Sequence, residues 1–274
     1  MGEESQRRLG QVPQGRNLKL NKISTTMFTS TSQGDILIDF TDDKVVGMKL
    51  SGGMDSAIVF YMLCKHIKDN NLKTAILPIT LNGWHKPYHG EFSKRVIYYM
   101  KSKFPTVEIL PHALKDGTEH GDYSDEQNVH LYETHQKIPF DIYFTGVTKN
   151  PPKDIYLQFY NSEKELLEGP TDNRDDNLVQ DLEHPYFWHT DGHWQLGKTL
   201  DQGVKQGNMT SISLLIDKDK KGVAELYDIF DVRQTLLLET RSCENYDPIV
   251  TQNFTIHCHT ECWWCHERHW GIDV

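Results

Sequence analysis

Residues 57–64, Ala-Ile-Val-Phe-Tyr-Met-Leu-Cys, are apolar without interruption. On a helix, eight such residues leave no wet face, so the helix must be covered on every side, as when it lies on a sheet. An apolar, β-prone stretch at 45–50 precedes it, and between the two stand Ser51-Gly52-Gly53-Met54-Asp55-Ser56. Strand, glycine turn and buried helix in that order open a layered α/β fold.

The rest of the chain continues the alternation. Strands are predicted at 36–40, 74–81, 107–110 and 141–147, and helices at 91–103, 126–136 and 220–230. Strands separated by helical lengths predict parallel pairing with helices on both faces. The stretch 36–40 is read as joined to 45–50 by a turn at Thr41-Asp42-Asp43. Residues 1–34 read as a polar N-terminal arm, with regular structure expected from about Asp35. The pattern degrades over about 150–210, where eight acidic side chains between 161 and 185 face only Lys164 and Arg174. That stretch is expected to be a solvated insertion or lid within an α/β domain spanning 35–239, followed by a cysteine-rich segment at 240–274.

The 274 residues carry 29 basic against 39 acidic side chains, a net charge of -10. Such a balance disfavours direct nucleic-acid binding, which relies on basic residues that displace phosphate counterions. No eighteen-residue apolar run and no signal-like start are present, so a cytoplasmic location without a membrane partner is expected. Of five cysteines, Cys64 belongs to the apolar run, while Cys243, Cys258, Cys262 and Cys265 gather late in the chain. In a reducing compartment that grouping reads as a metal site rather than disulfides. Four thiolates close a tetrahedral zinc site, although His257, His259, His266 and His269 leave a Cys3His set open.

The glycine turn has a chemistry of its own. Two glycines let the backbone bring its N–H groups close to an anion, and the following helix adds about half a positive charge at its N-terminus. Ser51 and Ser56 add hydroxyl donors, and Asp55 makes sense beside phosphate if it holds Mg2+. The alternative is an ordinary turn with Asp55 or Ser51 as a helix cap. Gly10 to Asn17 is no Walker A loop, because Arg16-Asn17 replaces the lysine and hydroxyl residue. Asp217 to Asp228 is no calcium loop, because Lys221 takes a ligand position.

The hexapeptide Ser51 to Ser56 resembles the SGGxDS signature of the PP-loop ATP pyrophosphatases. Thr240-Arg241-Ser242-Cys243, then Cys258, Cys262 and Cys265, then Glu267-Arg268-His269-Trp270-Gly271 resemble the end of the 7-cyano-7-deazaguanine synthase branch, the queuosine-precursor enzymes. Asp219-Lys220-Lys221-Gly222 is similar to that branch's lysine-led helix. The resemblance implies an α/β, doubly wound, mostly parallel sheet of the adenine nucleotide alpha hydrolase-like kind with a C-terminal zinc-binding segment. It implies nucleotide contacts from Leu50, Ser51, Gly52, Gly53, Met54, Asp55 and Ser56, from Thr80 at the end of the second strand, and from Gly146 and Lys149 in a later strand and loop. Asp55, Ser51, Ser56 and Lys220 are the implied catalytic residues, and Cys243, Cys258, Cys262 and Cys265 the implied zinc ligands. The implied activity is an AMP- and pyrophosphate-forming carbon–nitrogen ligation that uses ATP, Mg2+, a 7-deazaguanine carboxylate and ammonia, with a homodimer left open. Another PP-loop ligase or amidotransferase, a tRNA-thiolating enzyme and a nucleotide-binding protein without turnover are the alternatives.

Overall fold

The computed structural model describes residues 27–38, 40, 45–83, 88–152, 155, 209–243 and 262–272, with the backbone of 179–180 and 188–189. Most of the acidic insertion, the first 26 residues and Cys258 lie outside the described residues.

Five parallel strands form the main sheet: β3 (Val45–Lys49), β4 (Ala75–Asn82), β5 (Ala113–Asp116), β6 (Ile142–Thr145) and β9 (Thr210–Ser213), in the order β5-β4-β3-β6-β9. The chain starts in the middle, winds outward through α1 (Met54–Asp69) and α2 (His89–Lys103), then returns past β3 by α3 (Tyr123–Lys137). The reversal between β3 and β6 is a topological switch point, where a crevice opens beyond the carboxyl ends of the strands. This is the doubly wound α/β sheet that the alternation predicted.

Alternating side chains divide the core. Val46, Met48, Ile76, Phe144 and Ile212 pack with α1, α2 and α4 (Lys220–Ile229), while Leu77, Ile79 and Tyr143 pack with Leu131 of α3. The apolar run has no wet face in fact: every residue from Ala57 to Cys64 is buried. A 3-10 turn (Leu236–Glu239) and α5 (Trp263–Ile272) follow, and α5 packs on α4. Gly271 permits that contact, since a Cβ there would stand 2.4 Å from the Lys220 Cβ.

Two sequence readings change. Residues 36–40 do not extend the main sheet: β2 (Gly34–Ile38) pairs antiparallel with β1 (Met27–Thr31), so regular structure begins eight residues before the expected Asp35. Gly34, at φ +110°, makes the turn between them. The strand expected at 107–110 makes only one bridge, Ile109 to Ile76, and the ladder resumes at Ala113. Pro111 lacks the N–H that an unbroken ladder needs. A short antiparallel pair, β7 (Val179–Gln180) with β8 (Trp188–His189), is described by backbone alone. Among the described residues no helix is long and apolar enough to cross a membrane.

Candidate active site

Leu50 continues β3, its N–H donating to the Ile79 carbonyl at 2.9 Å, and the chain then turns sharply through the glycines. Gly52 has φ +75°, and a Cβ there would stand 2.6 Å from the Phe92 Cβ, so two independent constraints demand glycine. Gly53 takes the helix cap of α1 with no side-chain cap bond. Neither Asp55 nor Ser51 is the cap, and the first-turn amides remain available to an anion. The loop is shaped by its own hydroxyls: Ser56 Oγ accepts from the Ser51 N–H at 3.2 Å and lies 3.1 Å from Ser51 Oγ, which accepts from the Gly53 N–H at 3.3 Å.

Asp55, in the first turn of α1, is held from the other side of the sheet's switch point. Lys220 Nζ donates to its Oδ2, and the same ammonium lies 3.8 Å from Glu267 Oε2 on α5. Lys220 is buried because α4 begins there. Asp219 caps the helix, accepting from the Lys221 N–H at 2.9 Å, and exchanges hydrogen bonds with Gln33 at 2.6 and 3.0 Å. The β1–β2 turn thus fixes the start of α4 and, through it, Lys220. Asp55 Oδ1, closed off from solvent, has no hydrogen-bond partner among the described residues.

These groups face a cavity of about 360 Å3. Of the residues singled out in the sequence, Ser51, Gly53, Asp55, Ser56, Gly146 and Lys220 line it, and so do Lys49, Tyr123, Gln127, Tyr143, Arg241 and Trp264, to which the sequence reading gave no role. The size suits a small ligand with several aromatic walls. Gly146 has a packing duty as well: a Cβ there would stand 2.5 Å from the Ser56 nitrogen, so the end of β6 lies directly against the first turn of α1.

Leu50, Gly52, Met54, Thr80 and Lys149 stand outside the cavity wall. Leu50 and Gly52 shape the loop, and Met54 is buried beneath it, its carbonyl accepting from the Tyr227 hydroxyl at 2.7 Å. The Thr80 hydroxyl is buried and donates to the Leu50 carbonyl at 2.5 Å. Its oxygen therefore accepts from His112 Nε2, 2.8 Å away, and burial lowers the His112 pKa to about 4, keeping that ring neutral. Thr80 braces the loop from beneath. The Lys149 N–H donates to the Lys218 carbonyl at 2.9 Å, joining the loop after β6 to the approach of α4.

Lys49, in the cavity wall, carries a strongly perturbed ammonium. Its ammonium meets Gln127 Oε1 at 3.2 Å and Asn128 Oδ1 at 3.4 Å and lies 5.3 Å from the centre of the Tyr143 ring. Burial pulls its pKa from the ordinary 10.5 down to about 8. Because the folded value is the lower one, the unfolded chain binds more protons between pH 8 and 10.5, and stability rises with pH across that window. Lys49→Met is therefore expected to stabilise the protein at pH 7 by roughly 2 kcal/mol, after discounting for screening at the cavity mouth, and to lose most of that advantage near pH 10. Urea unfolding of both proteins at the two pH values checks this, and an advantage of the same size at both would exclude it.

Behind the loop, Cys243, Cys262 and Cys265 are buried with their sulfurs all within 4.8 Å of one another, a set that can hold a metal ion. Hydrogen bonds to Cys243 and Cys262, with burial, hold the Cys265 thiol protonated far above its ordinary range when no cation is near. Three crowded thiolates require a cation, which the cluster suits. Cys258, the expected fourth ligand, lies outside the described residues. The cluster ties two strings of site residues together. Two residues before Cys243, the Arg241 N–H donates to the Gly52 carbonyl at 3.0 Å. Beyond Cys265, Glu267 reaches Lys220, and Arg268 donates to Thr240 Oγ1 at 2.9 Å and to the Leu237 carbonyl at 3.1 Å. Arg241 and Glu267 were given no functional role in the sequence reading, although both stand close to cysteines and within the stretches that carry the resemblance.

No family model and no curated protein matches the chain. Among solved structures it is similar to the U34-tRNA thiolase NcsA from Methanococcus maripaludis with its 4Fe-4S cluster, at 13% identity and a TM-score of 0.42, over 84% of this chain and 71% of that one.

Proposed function

We propose that this protein is an ATP-dependent ligase that splits ATP into AMP and pyrophosphate to activate a carboxylate. The observation that carries the reading is the uncapped glycine loop at the sheet's switch point, opening with Asp55 and Lys220 onto a cavity of about 360 Å3. A loop of N–H groups and hydroxyls with a buried ammonium stabilises negative charge as pyrophosphate leaves and offers no covalent nucleophile of its own. Asp55 Oδ1 is the oxygen that would hold Mg2+, which supplies charge neutralisation to the phosphates. Lys220 keeps the carboxylate in place by taking Oδ2.

The substrate we propose is 7-carboxy-7-deazaguanine, with ammonia as the nitrogen donor and 7-cyano-7-deazaguanine as product. Tyr123, Tyr143 and Trp264 along the cavity suit a flat heteroaromatic base, and both the loop and the cysteine-rich end resemble the corresponding parts of that enzyme branch. A carboxylate oxygen bonds to the α-phosphorus as pyrophosphate departs. Ammonia displaces AMP with loss of a proton, giving the amide; a second ATP then adenylates the amide oxygen with release of pyrophosphate, and AMP departs with that oxygen as two protons are lost, leaving the nitrile. Zinc is the metal proposed for Cys243, Cys262, Cys265 and Cys258, in a structural role, with the protein acting in the cytoplasm.

The test is mass spectrometry of a reaction holding the protein, the carboxylate base, ammonia and magnesium ATP. The expected result is AMP, pyrophosphate and the 7-cyano base. AMP formed with another acid while this base stays unchanged would defeat the substrate and keep the ATP chemistry. Absence of AMP with every acid offered would leave a nucleotide-binding protein without turnover.

A further inference from the structure

Lys220 has carboxylates on two sides, whereas none among the described residues pairs with Arg241. Arg241 is 6% exposed and its guanidinium lies 4.3 Å from the centre of the Tyr88 ring, with Nε donating to the Cys243 carbonyl at 3.3 Å. Nη1 and Nη2 are both shut off from solvent, and among the described residues they have no hydrogen-bond partner and no carboxylate pairs with the group. A guanidinium stays charged at any working pH, and burying one with two unsatisfied nitrogens costs several kcal/mol. Arg268, just as buried, shows the ordinary arrangement: its nitrogens find Thr240, Ser242 and the Leu237 carbonyl. The aromatic shelf under Arg241 holds the fork in one plane and leaves its outer edge for an acceptor that the described residues do not supply.

Position says which acceptor. The backbone of Arg241 is bonded to Gly52, the glycine at the bend of the phosphate loop, and its side chain lines both the main cavity and a recess of about 10 Å3 against Ser51, Tyr88 and Phe92. The fork therefore stands at the loop side of the cavity, not along the α3 wall where Lys49 is. Two parallel N–H donors match two oxygens of a phosphate group.

We propose that Arg241 is a pyrophosphate clamp: its outer nitrogens grip the terminal diphosphate of a nucleotide seated on the loop and keep hold of pyrophosphate as it leaves. The inference rests on the ATP reading above and adds a residue to it. It separates ligands that otherwise share a site, because ATP and inorganic pyrophosphate need the clamp and AMP does not. An acid substrate's carboxylate offers similar oxygens, and the ligand series distinguishes the two.

Calorimetric titration of the full-length protein with a non-hydrolysable ATP analogue, pyrophosphate and AMP, each with magnesium, decides the matter for wild type, Arg241→Gln and Arg241→Lys. Arg241→Gln is expected to weaken the analogue and pyrophosphate at least about tenfold each, the scale of a lost charged hydrogen-bond pair, and AMP less than about twofold. Arg241→Lys keeps the charge without the fork and should fall between. Pyrophosphate bound as tightly by Arg241→Gln as by wild type overturns the clamp, as does AMP weakened equally with the analogue; either result points to the substrate acid or to a distorted loop. Should the glutamine variant lose its metal or its fold, the lysine variant decides alone, with unchanged pyrophosphate affinity overturning the clamp. Wild-type protein that binds neither the analogue nor pyrophosphate would sink the ATP reading and the clamp together.

Discussion

Asp55→Asn is expected to cut ATP-to-AMP turnover by on the order of a hundredfold or more, the scale of losing one preorganised electrostatic partner of a transition state. Asparagine preserves shape and removes charge at the one carboxylate among the described residues that lines the cavity with an oxygen still unengaged. It also strips Lys220 of its contact at Oδ2. Losing one half of a buried pair generally costs about 3–5 kcal/mol, but Glu267 remains 3.8 Å from the ammonium and cushions the loss. The variant should therefore give a native far-UV circular dichroism spectrum and a melting point lowered by a few degrees, with the rate defect far exceeding the stability defect. Turnover indistinguishable from wild type at saturating magnesium ATP would remove Asp55 from the mechanism.

The second large effect is expected at the cysteines. Cys265→Ser should abolish stoichiometric metal binding and loosen two regions at once, 262–272 and 240–243, because the cluster joins them alongside the hydrogen bonds of Arg268. Metal analysis of protein purified without chelator, with hydrogen exchange over both segments, measures this. We expect one zinc per wild-type chain, none in the variant, and exchange in α5 faster by orders of magnitude, since apo forms of such sites lose most of their folding free energy. Full metal content with α5 still protected would overturn the assignment. Iron with visible absorption would replace zinc by a redox-active cluster and favour thiolation chemistry over ligation.

What the sequence displayed was whatever is written in adjacent residues. The buried helix showed itself as eight apolar side chains in a row, the loop as two glycines between a strand and that helix, and the cysteine cluster as Cys258, Cys262 and Cys265 four and three positions apart. The parallel sheet followed from alternation alone. Hidden from view were contacts between residues far apart in the chain. Lys220 and Asp55 are separated by 165 positions, and only the β1–β2 turn holding Asp219 explains why the lysine arrives there. Strand β1 was illegible because its sequence, Met-Phe-Thr-Ser-Thr, keeps one buried position in five and shows little apolar alternation. Thr80 lies where the second strand ends, as expected, but its hydroxyl faces Leu50 and His112, a direction that no one-dimensional pattern reveals. The buried, unsatisfied guanidinium of Arg241 is likewise a property of its surroundings.

The cavity is closed by parts that a ribosome delivers at very different times. The loop at 51–56 and its helix leave the tunnel early, while Lys220, Arg241, Trp264 and Glu267 come some 165 to 215 residues later. A half-made chain thus holds a glycine cradle with no ammonium behind Asp55 and no Trp264 from α5 along the cavity. The order of synthesis therefore leaves the cavity wall incomplete until Lys220, Arg241 and Trp264 have all been added.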